Sequence, residues 1–162
     1  MDFVIDVITN YPLMSAAAGW IIAQLLKTTT GIFKVKKFSL IELFCGTGGM
    51  PSSHAASVSA LACACALKEG VASHAFAISI VFALIVMRDA MGMRRQIGEH
   101  AKALNMIIVQ FFSAKNDSES TEKMFTELAG HTPLQVFIGS FVGVLVAFLM
   151  ALIPVFNVPL FA

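Results

Sequence analysis

Residues suited to anion binding lie where an apolar helix is predicted to begin, in GTGGMPSSHAASVSALACACAL, a stretch that starts at Gly46. A glycine-rich turn leads into the run from Pro51 to His54. Backbone N–H groups at a helix start point outward, and the helix dipole favours negative charge there. Proline and serine are also favoured at helix starts for purely structural reasons. The stretch therefore predicts an anion site, a capped helix start, or both.

The composition indicates an integral membrane protein with one domain, residues 1–162. Of the 162 residues, 57% are hydrophobic and only 13% are charged, whereas a soluble domain has about a quarter charged residues. The net charge of +1 offers no electrostatic footprint for nucleic acid. Cys45, Cys63 and Cys65 lie in apolar surroundings and support neither a disulfide framework nor a metal site.

Four apolar segments predict an all-α membrane bundle of about four transmembrane helices. A charged stretch after the third segment has apolar residues at helical spacing, which predicts an amphipathic interfacial helix. A flexible polar loop is expected at about 113–121. The apolar run 39–45 is too short to span and is expected to be re-entrant or interfacial. The four segments are about 7–26, 53–67, 71–87 and 134–153.

The basic residues predict the orientation, because cytoplasmic loops near spans are enriched in them. Four basic residues lie in 27–53, six in 88–130 and one in 68–70. Both long connections are therefore expected in the cytoplasm. This topology gathers two histidines and several cations at the cytoplasmic end of the bundle, which suits a phosphate group. They are Lys27, His54, Arg88, Arg94, Arg95 and His131.

Two motifs carry a resemblance to a known superfamily. GGMPSSHAA resembles the second motif of the type 2 phosphatidic acid phosphatase and vanadium haloperoxidase superfamily, and GHTPLQVFIGSFVG resembles its third motif. The intervening IVMRDAMGMRRQIGEHAKALN is similar to a divergent bacterial branch of that group. The resemblance covers about Lys27 to Gly143 and implies a membrane phosphatase without metal or cofactor.

The resemblance also implies roles for individual residues. His131 would attack phosphorus and form a phosphohistidine, while His54 would protonate the leaving alkoxide. Imidazole suits both tasks near neutral pH. Fixed cations and N–H groups would stabilise the charge on the phosphoryl oxygens. The phosphate-binding residues would be Lys27, Gly49, Ser52, Ser53, Arg94 and Arg95.

The sequence departs from the superfamily pattern at the position four residues after His131. Gln135 stands there in place of the usual acid. An amide can orient an imidazole but supplies no charge, so Asp89 is a second candidate for that role. His131 also has a structural reading, as part of a turn in which Thr132 caps the following helix.

The function expected from these residues is hydrolysis of a lipid or isoprenoid phosphate at the cytoplasmic face of the plasma membrane. The expected partners are that substrate and the bilayer, with no nucleic acid, and a homo-oligomer is left open. The alternative is a non-catalytic protein that binds or translocates such a lipid. A third reading is a structural subunit, for which Gly139 and Gly143 provide a small-residue packing face.

Overall fold

A computed structural model describes residues 2–32, 50–113, 132–156 and 158. These residues form helices and turns without a strand, so the all-α prediction is confirmed. The predicted segment 39–45 lies outside the described residues, and so does the predicted loop at 113–121 beyond Ser113. The elements are α1 (Asp2–Ile8), α2 (Tyr11–Ile32), α3 (Ser53–Glu69), α4 (His74–Ser113), α5 (Pro133–Ala151) and a 3-10 turn (Pro154–Phe156).

The first predicted segment begins later than expected. Its predicted start at residue 7 falls within α1, and α2 begins only at Tyr11. The backbone N–H of Leu13 donates to Oδ1 of Asn10 (3.1 Å), which is how an asparagine caps a helix. Pro12 lies in the first turn, where its missing N–H costs nothing.

The third predicted segment and the amphipathic helix are one element. Helix α4 runs without interruption for 40 residues, because the chain becomes charged at Arg88 but contains no proline before Ser113. Most of the residues in between favour a helix. At 1.5 Å per residue α4 is about 60 Å long, roughly twice the hydrocarbon thickness of a bilayer.

Two stretches within the described residues are long and apolar enough to cross a membrane, His74–Gly92 of α4 and Pro133–Ala151 of α5. Their outward side chains are strongly exposed, among them Ile78 (71%), Phe137 (73%) and Phe141 (66%). Large exposed apolar side chains on adjacent helices suit a lipid environment. The described chain is therefore a membrane helical bundle.

Helix α3 is the centre of this bundle and packs against α2, α4 and α5. It runs parallel to α5, because Ser52 lies beside Gly139 and Ala56 lies beside Gly143. It runs antiparallel to α2, whose Gly19 lies beside Ala56. The buried residues of α3 are almost all small: Ser53, Ala55, Ala56, Val58, Ser59, Ala60, Ala62, Ala64 and Cys65.

Glycines on both neighbours bring their backbones close to α3. A Cβ atom at Gly143 would collide with the carbonyl oxygen of Ala56 and lie 3.0 Å from Cα of Ala56. A Cβ at Gly19 would lie 3.0 Å from the same oxygen and 3.1 Å from Cβ of Ala60. Small residues at matched positions allow this kind of approach between membrane helices. The backbone at Ala56 is thus held between α2 and α5.

An aromatic cluster lies at the end of the bundle where α2 begins and α3 and α5 end. The fully buried Tyr11 donates its hydroxyl to the carbonyl of Ala147 (2.7 Å), and its ring lies 5.6 Å from that of Phe156. Nζ of Lys68 donates to the carbonyl of Phe156 (3.3 Å). These contacts join α2, α3 and α5 to the 3-10 turn.

The glycine contacts predict that Gly143→Ala destabilises the fold. The added methyl would overlap the carbonyl of Ala56, and overpacking of this kind costs about 1–3 kcal/mol. Gly92→Ala is the matched control, because a Cβ there meets nothing within 4 Å and alanine favours a helix. Thermal unfolding in detergent should give a lower Tm for Gly143→Ala and an equal or higher Tm for Gly92→Ala. Equal Tm values for the two variants would contradict the close packing.

Candidate functional site

The starts of α3 and α5 and the end of α2 lie at one end of the bundle. A backbone hydrogen bond joins the two helix starts, from the N–H of Ser52 to the carbonyl of Gln135 (3.1 Å). Helix α4 passes the same end, since Oγ of Ser140 donates to Sδ of Met87 (3.2 Å). The predicted convergence of these elements is thus present in the described chain.

Ser52 is the N-cap of α3. Its side-chain oxygen accepts a hydrogen bond from the N–H of Ala55 (3.4 Å), and its own N–H donates to the backbone carbonyl of Gln135. Ser52 is fully buried and Ser53 is 5% exposed. The described contacts of Ser52 are therefore those of a cap. Gly139 fits tightly here, because a Cβ on it would collide with the carbonyl oxygen of Ser52.

Gln135 completes a capping box at the start of α5. Its N–H donates to Oγ1 of Thr132 (3.3 Å), and the N–H of Thr132 donates to Oε1 of Gln135 (3.0 Å). The box satisfies two helix-start donors reciprocally. The Thr-x-x-Gln pattern that signals such a box was readable in the sequence. Sequence reasoning missed it, because the resemblance presented Gln135 only as the replacement for an acid.

His54 is the second residue of α3, and its side chain is exposed. At about 100° per residue it lies about 200° around the helix from Ser52, the residue that contacts α5. The imidazole therefore lies on the side of α3 opposite α5. Side chains on a helix lean toward its N-terminus, so the ring of His54 leans toward the N-terminal end of α3.

Lys27 lies near the end of α2 and is half-buried. The contact between Oγ of Ser57 and the carbonyl of Ala16 (3.1 Å) fixes the level of α2 against α3. Counting along both axes from this contact at 1.5 Å per residue, Lys27 lies about 9 Å beyond Ser52, past the N-terminal end of α3. One turn before it lies Gln24, which is buried. Gln24 is not among the residues predicted from the sequence, although a buried polar residue in a membrane protein is a functional candidate.

The remaining predicted residues lie either on α4 or outside the described part of the chain. Asp89 is on α4, two residues past Met87, and its side chain is exposed. Arg94 and Arg95 follow about one turn further along the same helix, and their side chains are outside the described part. Gly49 and His131 lie outside it altogether, although His131 is covalently joined to Thr132. Their roles stay predictions.

Two helix N-termini at one end give this region a positive potential. Each helix contributes a partial charge of about +0.5 at its N-terminus, and neither first turn contains an acidic residue. Lys27 adds a full charge. The arrangement suits an anion such as phosphate. Across the residues that the structure describes, no group of three His, Cys, Asp or Glu side chains is placed to hold a metal ion.

The capping box predicts different results for two substitutions at Gln135. Gln135→Leu removes the acceptor for the N–H of Thr132 and should lower stability by about 1 kcal/mol. Gln135→Glu keeps an acceptor of the same length and should retain the wild-type Tm, measured in detergent. A Gln135→Leu variant as stable as the Glu variant would show that the box contributes nothing.

Comparison with known proteins gives a family match and one curated relative. The model of the Divergent PAP2 family matches residues 8–146, a range that includes both helix starts and most of all four long helices. The uncharacterized membrane protein YuiD of Bacillus subtilis (strain 168) is 38% identical over 154 residues, which are 90% of this chain and 97% of the relative. No solved structure matches. The resemblance predicted from the two motifs is confirmed, and the chain belongs to the Divergent PAP2 family.

Proposed function

We propose that this protein is a membrane phosphatase that hydrolyses a lipid or isoprenoid phosphate at the cytoplasmic face through a phosphohistidine. One observation carries the proposal, the hydrogen bond from Ser52 to Gln135 that joins the starts of α3 and α5 (3.1 Å). His54 follows Ser52 by two residues, and His131 precedes Gln135 by four. The bond therefore ties together the two segments that bear the proposed catalytic imidazoles.

The reaction has two balanced steps. A ring nitrogen of His131 attacks phosphorus, the bond between phosphorus and the lipid oxygen breaks, and His54 gives its proton to the departing alkoxide. Water then attacks the phosphohistidine while His54 takes a proton from it. Inorganic phosphate leaves, and both histidines return to their starting states. The exposed position of His54 leaves its ring accessible to the leaving oxygen.

Positive groups at this end stabilise the charge on the phosphoryl oxygens during transfer. In the proposal the two helix N-termini supply N–H dipoles, and Lys27 supplies a cation from beyond the N-terminal end of α3. Arg94 and Arg95 are proposed as further cations from α4. Ser52 and Ser53 contribute by fixing the start of α3, because both are buried.

A cytoplasmic site is supported by charge. The connection between α2 and α3 and the charged half of α4 contain most of the basic residues of the chain, and such segments stay in the cytoplasm. A substrate with a phosphate headgroup and an apolar tail fits a site at the membrane surface. Its headgroup remains in water while its tail remains in the bilayer.

A second candidate function is binding or translocation of the same lipids without hydrolysis. It is favoured by Gln135, whose side-chain oxygen accepts the N–H of Thr132 (3.0 Å) and carries no charge. A carboxylate at that place would stabilise the cationic form of a neighbouring imidazole, whereas an amide does not.

Phosphate release from phosphatidate and from a polyprenyl phosphate by the purified protein in detergent tests the first function. His131→Ala and His54→Ala should each abolish release. His74→Ala is the matched control, because His74 is exposed at the start of α4, at the opposite end of the bundle, and should retain full activity. Lipid binding without release would favour the second function, and neither binding nor release would contradict both.

Gln135→Glu provides a further test of the enzyme. A carboxylate beside the proposed nucleophile should raise kcat in phosphate release by on the order of tenfold or more, since the acid partner of a catalytic histidine contributes strongly to turnover. Because the Glu variant keeps the capping acceptor, its Tm should stay the same. An unchanged or lower kcat would contradict the proposed role of an acid at this position.

A further inference from the structure

One side of α3 is not covered by the other described helices. Helix α2 packs on α3 at Ala56 and Ala60, α5 packs at Ser52 and Ala55, and α4 packs where Cys65 lies beside Ser79. Helices α2 and α4 do not pack along one another. Among the described residues, a lateral groove therefore remains between these two helices, with α3 as its floor.

The residues that line this groove repeat every seven positions, which is two helical turns and nearly the same face. On the floor, His54 is followed by Leu61, which is partly exposed although its neighbours Ala60 and Ala62 are buried. On α2, Trp20 is followed by Lys27, and both are half-buried. Each pair places one polar and one apolar side chain along the groove.

Helix α4 forms the other wall with the same spacing. Phe82 is 50% exposed and is followed seven residues later by the exposed Asp89. Met87, which contacts α5 through Ser140, is five residues from Phe82 and thus about 140° away around the helix. Phe82 and Asp89 accordingly lie on the side of α4 that faces away from α5.

The groove is amphipathic along its length. Its polar residues, Lys27, His54 and Asp89, all lie at the end where α3 begins. Of its apolar residues, Trp20 lies level with the start of α3, about 10 Å along α2 from Lys27, whereas Leu61 and Phe82 lie further toward the middle of the bundle. A polar end beside two helix N-termini, followed by an apolar length, matches a lipid phosphate, whose charged headgroup precedes a hydrocarbon tail.

We infer that this groove holds the acyl or isoprenoid tail of the lipid phosphate, and the inference rests on the proposed function for the identity of the headgroup. In phosphoryl transfer the attacking and leaving atoms are roughly in line. His131 is joined to the start of α5, and His54 lies on the opposite side of α3. The lipid oxygen therefore leaves on the side of His54, and the tail attached to it continues along Leu61 between Trp20 and Phe82.

Trp20 is the only tryptophan of the chain and lies on the groove wall, so its fluorescence reports the tail without any need for hydrolysis. Phosphatidate brominated near the carboxyl end of its acyl chains should quench Trp20, and unbrominated phosphatidate should reverse the quenching. Phosphatidylcholine with the same brominated chains should quench much less in micelles of the same detergent. Equal quenching by the two lipids would overturn the inference.

Leu61→Phe fills the groove while keeping a single tryptophan. The concentration of brominated phosphatidate that gives half-maximal quenching should rise on the order of tenfold. Leu145→Phe is the matched control, because Leu145 is an exposed leucine on α5, and its quenching should equal that of the wild type. Wild-type quenching of the Leu61→Phe variant would overturn the inference. So would a Leu61→Phe variant in which only the oligomeric state changes, because that result would identify a second copy of the chain as the occupant of the groove.

Phosphate release tests the proposed enzyme, and quenching of Trp20 tests the proposed groove, so the two can fail separately. Selective quenching without phosphate release would support the groove and contradict the enzyme. Release that depends on His131 and His54, combined with unselective quenching, would support the enzyme and contradict the groove. A folded wild-type protein that shows neither selective quenching nor release contradicts both. The Tm of each variant, measured alongside, identifies a variant that has lost its fold, and Leu61→Ile then replaces Leu61→Phe as a smaller change of shape at the same place.

Discussion

The close approach of three helix backbones at Ala56 determines how the rest of the bundle is arranged. Gly19 of α2 and Gly143 of α5 lie on either side of this residue, and a methyl group on either glycine would press against its carbonyl oxygen. In a bilayer, lipid tails are as apolar as leucine, so helices associate through tight packing rather than through burial of apolar surface. A central helix of alanine and serine therefore needs glycine on its neighbours.

This packing also sets the geometry of the functional end. With Gly139 and Gly143 against α3, the parallel helices α3 and α5 begin close together, and Ser52 reaches the carbonyl of Gln135. Two like-oriented helix dipoles side by side repel one another weakly. The result is a concentration of partial positive charge, which an anionic headgroup would balance.

Much of the fold was predictable, because local signals mark the helix boundaries. Ser52 and the Thr132–Pro133 pair fix the starts of α3 and α5 within about a residue of the predicted segments. Because successive spans cross the membrane in opposite directions, the order of the segments then predicted which helix ends meet. The unbroken length of α4 was not predicted, because the change in composition at Arg88 resembles the end of a span, whereas the backbone needs a proline or a glycine motif to stop. Asn10 was not predicted as a cap either, although asparagine is favoured at that position.

The candidate site was predictable in its location but not in its side-chain directions. The sequence places His54 at the start of a helix, yet only the contacts of α3 with α5 show that its ring lies on the opposite side. The lining of the groove by Trp20, Leu61 and Phe82 depends on three helix rotations, each fixed by a contact distant in sequence, such as that between Ser57 and Ala16. Periodicity within one helix contains no information about these rotations.

The order of synthesis gives the central position of α3 a further meaning. The chain is made from its N-terminus, and the helix that supplies Gly139 and Gly143 is the last of the long ones. Until Pro133–Ala151 has been synthesised, the face of α3 at Ser52 and Ala55 lacks the helix that it contacts in the described chain. A short segment rich in alanine and serine has little affinity for lipid of its own. Stable residence of α3 in the bilayer must then await the C-terminal helix, so that a ribosome that stops before residue 133 leaves a chain whose centre is not yet committed to the membrane.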